Sequence, residues 1–199
     1  MRGKLKIIGV RDMKAVYLAD SSKNLKLFIC GIKDGDDCYS FCGVGTVFEK
    51  AFASSDIKQV VFEDTLAKVK EEAFKDCEEL RIFCCGKVCG DEDAEKTTGV
   101  IKGIEIYESK VAKKSEFIIE TSAFAGCDKL HTVILPQCET LKIEKNAFDG
   151  CSSLRTVVAL TDKIELTENP FNDCPKDLTF VCKSNSDIER FARENGYRY

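Results

Sequence analysis

Twelve cysteines and a single histidine, His131, are the residues of this 199-residue chain whose types could do chemistry. Thiolates in C-x-x-C pairs bind zinc, a thiol beside an imidazole is a nucleophile, and cysteines in an oxidising compartment staple small folds. Spacing decides among these. Cys84, Cys85 and Cys89 form one cluster and Cys30, Cys38 and Cys42 another, yet neither holds a C-x-x-C pair, and His131 is far along the chain from both. No metal site, no cofactor and no catalytic residue is therefore expected. Gly-x-Ser-x-Gly, P-loop and dinucleotide-binding patterns do not occur either. The acidic run Asp91, Glu92 and Asp93 reads as a solvated loop. The chain is not expected to be an enzyme.

The remaining cysteines belong to a pattern. Ala123-Phe124-Ala125-Gly126-Cys127-Asp128-Lys129-Leu130 returns 24 residues later as Ala147-Phe148-Asp149-Gly150-Cys151-Ser152-Ser153-Leu154. A period of that size marks a solenoid, in which each repeat buries its apolar edge against its neighbours. Anchored on the Ala of the Ala-Phe pair, copies start at Ala51, Ala73, Ala123 and Ala147, with a divergent one at Pro170-Phe171. Four residues later come Ser55, Cys77, Cys127, Cys151 and Cys174, then the column Ile57, Leu80, Leu130, Leu154 and Leu178. Four residues before the anchor come Val47, Val69, Ile119, Ile143 and Leu166. The column thiols thus read as small buried hydrophobes in the reduced state. Neighbouring rungs bring equivalent Cα atoms to about 5 Å, inside the disulfide window, but parallel Cβ vectors oppose pairing.

Beyond the Leu/Ile column runs an apolar-x-x-apolar-x-apolar signal: Ile57, Val60, Phe62; Leu80, Phe83, Cys85; Leu130, Val133, Leu135; Leu154, Val157, Ala159. These should point inward from short strands that stack into a parallel sheet with a spacing of about 4.8 Å. Ala73 and Ala123 are 50 residues apart, about two periods. The residues Ala94, Thr98, Ile101, Ile104 and Ile106 are read as a degenerate repeat between them, with Glu95 in place of Phe and an enlarged turn near 108–115. Leu25, Phe28 and Cys30 fit the strand column, so the solenoid is expected to begin before residue 25, followed by a Gly- and Asp-rich connection over 31–45. Ser186-Asp187-Ile188-Glu189 is a capping box, and a helix with Ile188, Phe191 and Ala192 on one face would stop at Gly196 and plug the last rung. The organisation expected is a single domain, 1–199: a divergent N-terminal turn over 1–24, six to seven repeats over 25–182 with a degenerate one near 86–118, and a cap over 183–199.

These columns, with Leu141-Lys142-Ile143-Glu144-Lys145-Asn146-Ala147-Phe148 and the tail Cys182-Lys183-Ser184-Asn185-Ser186-Asp187-Ile188-Glu189-Arg190-Phe191-Ala192, resemble the BspA-like (Treponema-type) class of leucine-rich repeats. The resemblance covers about residues 44–85 and 116–199. It implies a leucine-rich-repeat solenoid, a right-handed superhelix with a concave parallel sheet of short strands, and turns and short helices on the convex side. It also implies a binding scaffold without catalytic residues; many relatives attach to host or matrix proteins at cell surfaces.

On such strands the residues between inward positions face the concave side. One column is Gln59, Ile82, Thr132 and Thr156; the other is Val61, Cys84, Ile134 and Val158, apolar except for Glu105 at the degenerate repeat. These eight are the candidate partner-binding residues, and the expected function is a non-enzymatic protein–protein interaction scaffold. The alternatives are a cell-surface adhesion module and a metal- or thiol-dependent regulatory protein. A net charge of -4 and a pI near 5.3 argue against a nucleic-acid partner. No apolar run reaches 18 residues, so membrane insertion is not expected, and a monomer is. The first twelve residues hold no signal peptide, which points to the cytoplasm, with the surface or secreted alternative if an export signal has been removed.

Overall fold

A lone repeat can neither pair its strand nor bury its apolar edge, so its geometry is set by the repeats on either side. The computed structural model describes residues 5–10, 13–19, 25–29, 38–41, 44–62, 66–85, 97–101, 104–107 and 114–199. The strands β1 (Leu5–Val10), β2 (Met13–Ala19) and β3 (Leu25–Ile29) form an antiparallel meander. Then come β4 (Cys38–Phe41), β5 (Thr46–Val47), β6 (Gln59–Phe62), β7 (Lys68–Val69) and β8 (Ile82–Cys85), followed by a hairpin of β9 (Thr97–Ile101) and β10 (Ile104–Tyr107). The chain continues with β11 (Lys114–Ile119), β12 (Thr132–Ile134), β13 (Cys138–Ile143), β14 (Thr156–Ala159), β15 (Lys163–Leu166), β16 (Thr179–Cys182) and the helix α1 (Asp187–Glu194). Alternate strands build two parallel sheets, a six-stranded one in the order β16-β14-β12-β8-β6-β4 and a five-stranded one in the order β15-β13-β11-β7-β5.

One core lies between the two sheets, built from the residues that the repeat predicts. Val60, Phe83, Val133 and Val157 are register neighbours in the six-stranded sheet and at most 1% exposed. Val47, Val69, Ile119 and Ile143 face them from the five-stranded sheet, equally buried. The phenyl rings of the Ala-Phe pairs stack from rung to rung: Phe52 on Phe74 at 4.8 Å, then Phe74 on Phe124, Phe124 on Phe148 and Phe148 on Phe171, each at 5.1 Å with planes within 4° of parallel. Each buried phenylalanine contributes about 1.5–3 kcal/mol through its lost water contact.

Backbone hydrogen bonds keep the turns in the same register. The N–H groups of Phe52, Phe74, Phe124 and Phe148 donate to the carbonyls of Ala73, Ala123, Ala147 and Pro170, one rung on, at 2.8–2.9 Å. Pro170 in place of Ala keeps the carbonyl that this position gives the previous rung and gives up only the N–H bond within its own turn, which Ala147 makes to Glu144 O at 3.4 Å. Each turn also needs left-handed backbone: Lys50, Glu72, Ser122 and Asn146 before the anchor, and Ser54, Asp76, Gly126, Gly150 and Asp173 three residues after it, all have φ between 53° and 74°. At Gly126 a Cβ would fall 2.4 Å from Asp76 Oδ1.

Three placements differ from the sequence reading. Leu25 and Phe28 lie in β3, which pairs antiparallel with β2; the stack begins at β4, inside the Gly- and Asp-rich stretch read as a connection. Alternation marks a strand but does not choose its neighbour, and two consecutive strands close a hairpin more readily than a distant parallel pair. Thr98 and Ile101 lie in β9 and Ile104 and Ile106 in β10, so an antiparallel hairpin stands where a degenerate parallel rung was expected; Ala94 and Glu95 are outside the described residues. β8 pairs directly with β12, and β7 with β11. Ala73 and Ala123 are therefore one rung apart, not two.

The C-terminal cap takes the expected form. Ser186 Oγ accepts from Glu189 N at 3.2 Å, and the Glu189 carboxylate reaches back to Asn185 N at 2.6 Å, one residue upstream of the usual capping-box partner. Ile188 and Ala192 are fully buried, and Gly196 closes the helix with φ 73°.

Removing a ring from the phenylalanine stack leaves a cavity bounded by rigid rungs. Phe124→Ala is expected to lower unfolding free energy by about 3–5 kcal/mol in urea denaturation. Gly126→Ala should cost about 1–2 kcal/mol from its left-handed backbone alone, whereas Gly45→Ala, whose Cβ would meet nothing within 4 Å, should stay within about 0.5 kcal/mol of the parent.

Candidate functional site

The outer face of the six-stranded sheet carries the eight candidate residues, and strand alternation explains why. With Val60, Phe83, Val133 and Val157 in the core, the residues on either side of each must point the other way. Register brings them into columns: Gln59, Ile82, Thr132, Thr156 and Thr179 in one, and Val61, Cys84, Ile134, Val158 and Val181 in the other. Ser40 precedes Val61 in the second column. Glu105 does not stand in it: it pairs with Val100 in the hairpin, so the aliphatic column runs unbroken from Val61 to Val181.

The two columns differ in exposure. Gln59, Ile82 and Thr156 are half-buried, as a solvent-facing strand would be. Val61, Cys84, Ile134 and Val158 are 7, 5, 5 and 1% exposed, and Thr132 is 1% exposed. The four form a hydrophobic cluster separate from the main core, with Ile82, Leu160 and Val181 packed against it. The column expected as an open stripe is thus shielded from solvent.

A third column escaped sequence reading. Lys58, Arg81, His131 and Arg155 each directly follow the Leu/Ile column, and their backbones are joined in turn: Arg81 N donates to Lys58 O, His131 N to Arg81 O and Arg155 N to His131 O, at 2.7–3.0 Å. The signal was present as a basic residue at one repeat offset in four copies. Its charge is balanced locally. Arg155 Nε lies 3.6 Å from Asp177 Oδ2. Lys129, hydrogen-bonded to Glu79, holds that carboxyl below its usual range, with Arg81 and Lys58 adding to the effect. His131 Nδ1 is 2.9 Å from Thr132 Oγ1. That hydroxyl sits on a side chain too enclosed to meet a substrate, so the pair lacks the access a nucleophile and base require.

The cysteine column has a structural task. Cys77, Cys127, Cys151 and Cys174 donate their S–H groups to the carbonyls of Phe52, Phe74, Phe124 and Phe148, one rung back, at 2.9–3.3 Å. Each of these carbonyls also accepts the N–H of the cysteine in its own turn, except in the first rung, where Ser55 takes that place. A thiol is small enough for the interior and still supplies the second donor. Cys84 and Cys85 lie on opposite faces of β8, one in the outer cluster and one in the core, so they cannot converge on one ion. Cys30, Cys42 and Cys89 are outside the described residues. Among the described residues, no group of histidine, cysteine and acidic side chains is arranged to hold a metal, and no helix is long and apolar enough to cross a membrane.

Burial pushes the Cys174 thiol up to about 12 and the Cys151 thiol well above its ordinary value. An unfolded thiol ionises near 8.5. Between these limits the unfolded chain sheds protons that folded Cys151 and Cys174 keep, so the stability from these two thiols is full below about pH 8.5 and declines as pH rises toward 12. Urea denaturation between pH 7 and 10.5 should show that decline. Cys174→Ala should flatten it by up to about 1.4 kcal/mol per pH unit, whatever its effect at pH 7.

The model of the BspA type leucine rich repeat region matches residues 42–86 and 105–195, in six copies. The matched residues include every strand of the two parallel sheets except β4. No curated protein matches the chain.

Proposed function

The chain belongs to the BspA-type leucine-rich repeat family, and from that premise we propose that it is a non-enzymatic protein-recognition module whose partner lies along the outer, concave face of the six-stranded sheet. Repeats of this family form protein-binding or adhesion modules. The observation that carries the reading is the unbroken set of columns on that face. Five successive rungs repeat the same side-chain offsets at the strand spacing of about 4.8 Å, which gives an extended partner segment a regular series of matching positions.

Within the face, the columns have different tasks. Gln59, Ile82 and Thr156, half-buried, with Arg81 and Arg155 exposed beside them, are the first groups a partner meets. Val61, Cys84, Thr132, Ile134 and Val158 form the floor beneath. Apolar packing joins neighbouring strands, while the polar and basic columns supply hydrogen bonds and ion pairs at the rim, where charge governs specificity and association rate more than affinity.

A photo-crosslinking residue placed at Gln59 or Thr156 and exposed to an extract of the source cells should capture a protein partner. The same residue at Lys142, on the five-stranded sheet, should not. Arg81→Glu with Arg155→Glu should cut the yield at position 156 by about tenfold. Equal capture from Lys142, or a yield unmoved by the charge reversal, would sink the assignment of the face.

A further inference from the structure

The outer faces of the two sheets differ in charge. On the five-stranded sheet, register places Lys68, Ile118, Lys142 and Glu165 in one outward column and Glu116, Thr140 and Lys163 in the other, so both signs occur. On the six-stranded sheet, the outward columns beginning at Gln59 and at Val61 hold no acidic residue from β6 to β16. The column bordering them is Lys58, Arg81, His131 and Arg155. Acids stand one position further toward the turns, where Asp56, Glu79 and Asp177 directly precede the Leu/Ile column. A segment lying on the sheet therefore meets the basic column before any carboxylate.

Local pairing leaves part of that positive charge open. Glu79 is hydrogen-bonded to Lys129, and no carboxylate among the described residues lies within ion-pair distance of the exposed Arg81. Arg155 turns Nε to Asp177 at 3.6 Å and Nη1 to the carbonyls of Ser152 and Leu154 at 3.4 and 3.2 Å. These contacts fix the guanidinium and leave the Nη2 donors without a partner among the described residues. We propose that the segment recognised by this face is acidic and extended, and that it crosses the strands with carboxylates seated on Arg81 and Arg155. This names the chemistry of the partner and rests on the recognition face proposed above. Two rungs separate the arginines, about 9.6 Å at the strand spacing. A polyproline II segment returns to the same side every third residue, after about 9.3 Å, so carboxylates three residues apart match the pair. A planar guanidinium also grips a carboxylate through two N–H groups at once.

The probe is a fluorescein-labelled peptide of four Glu-Pro-Pro repeats, titrated with the full chain at low salt and read by fluorescence anisotropy. It should bind at least about tenfold more tightly than the Gln-Pro-Pro peptide of the same length. Arg81→Gln should weaken binding about threefold, and Arg81→Gln with Arg155→Gln about tenfold, in chains that unfold as cooperatively as the parent. Lys142→Gln with Lys145→Gln, outside the face, should leave the affinity unchanged. Absent binding, equal affinity for the two peptides, or a double arginine variant that binds like the parent overturns the proposal. So does an equal loss in the lysine control. A short oligothymidylate that binds as tightly as the acidic peptide overturns it too, because the face would then take a phosphate backbone. Crosslinking at Gln59 and Thr156 is read without the peptide: capture of a protein with no acidic-peptide binding rejects the partner chemistry and keeps the face, whereas absent capture counts against the face itself.

Discussion

A single distance governs this molecule. Parallel strands pair at about 4.8 Å, the phenyl rings of successive Ala-Phe turns stack at 4.8–5.1 Å, and the turn N–H groups reach the next rung's carbonyls at 2.8–2.9 Å. Backbone, aromatic core and turns therefore share one repeat, and a register that satisfies any of them satisfies all three. The thiol column follows from the same spacing, since each S–H spans one rung to a phenylalanine carbonyl. Variation is tolerated along a rung and not across it. The connection between β8 and β11 shows this: the Phe74–Phe124 separation across residues 86–113 equals the Phe124–Phe148 separation of an ordinary repeat.

A stack held together by what each rung gives the next must finish where there is no next rung. Phe171 N has no carbonyl ahead of it and donates to Asn169 Oδ1 at 3.0 Å. Ile164 N, on the last strand of the five-stranded sheet, donates to Asp187 Oδ2 at the start of α1. Phe180 N, on the last strand of the six-stranded sheet, donates to Arg198 O at 2.8 Å. Phe191 and Tyr197 pack against the final phenylalanines, Phe171 and Phe180, beside the buried Ile188 and Ala192. These three end groups are each satisfied by a different local device, which helps a solenoid avoid offering an open sheet edge to another chain.

The same geometry shapes the candidate recognition face. Strand alternation assigns every second residue outward, and in-register stacking turns those residues into columns whose character is that of one repeat position. Basic groups are interleaved with acids such as Glu79 and Asp177, so the rim carries alternating charge. The aliphatic column is closed to water, which makes the floor of the face a second packed layer and leaves the rim as its exposed part.

Much of this was legible in the sequence. The period of 24, the Ala-Phe, Cys and Leu columns, the inward strand positions and the C-terminal capping box each depend on local spacing, and local spacing dictates which residues share a face. Residue type announces the turn conformation at Gly126, Gly150 and Asn146, whereas Lys50, Glu72 and Ser122 adopt the same left-handed backbone without such a signal. Partner choice between strands was not legible: the apolar alternation of Leu25, Ile101 or Ile104 reads the same whether the strand joins a parallel stack or closes a hairpin. Nor was the burial of Val61, Cys84, Ile134 and Val158, since a strand records which face a side chain takes and not what lies over it. The sequence by itself determined the repeat, its core and its cap, which rest on contacts between neighbouring copies of one pattern. Only the tertiary structure decided where the stack begins, which segment stands outside it and which face is closed, because those depend on pairing between segments far apart in the chain.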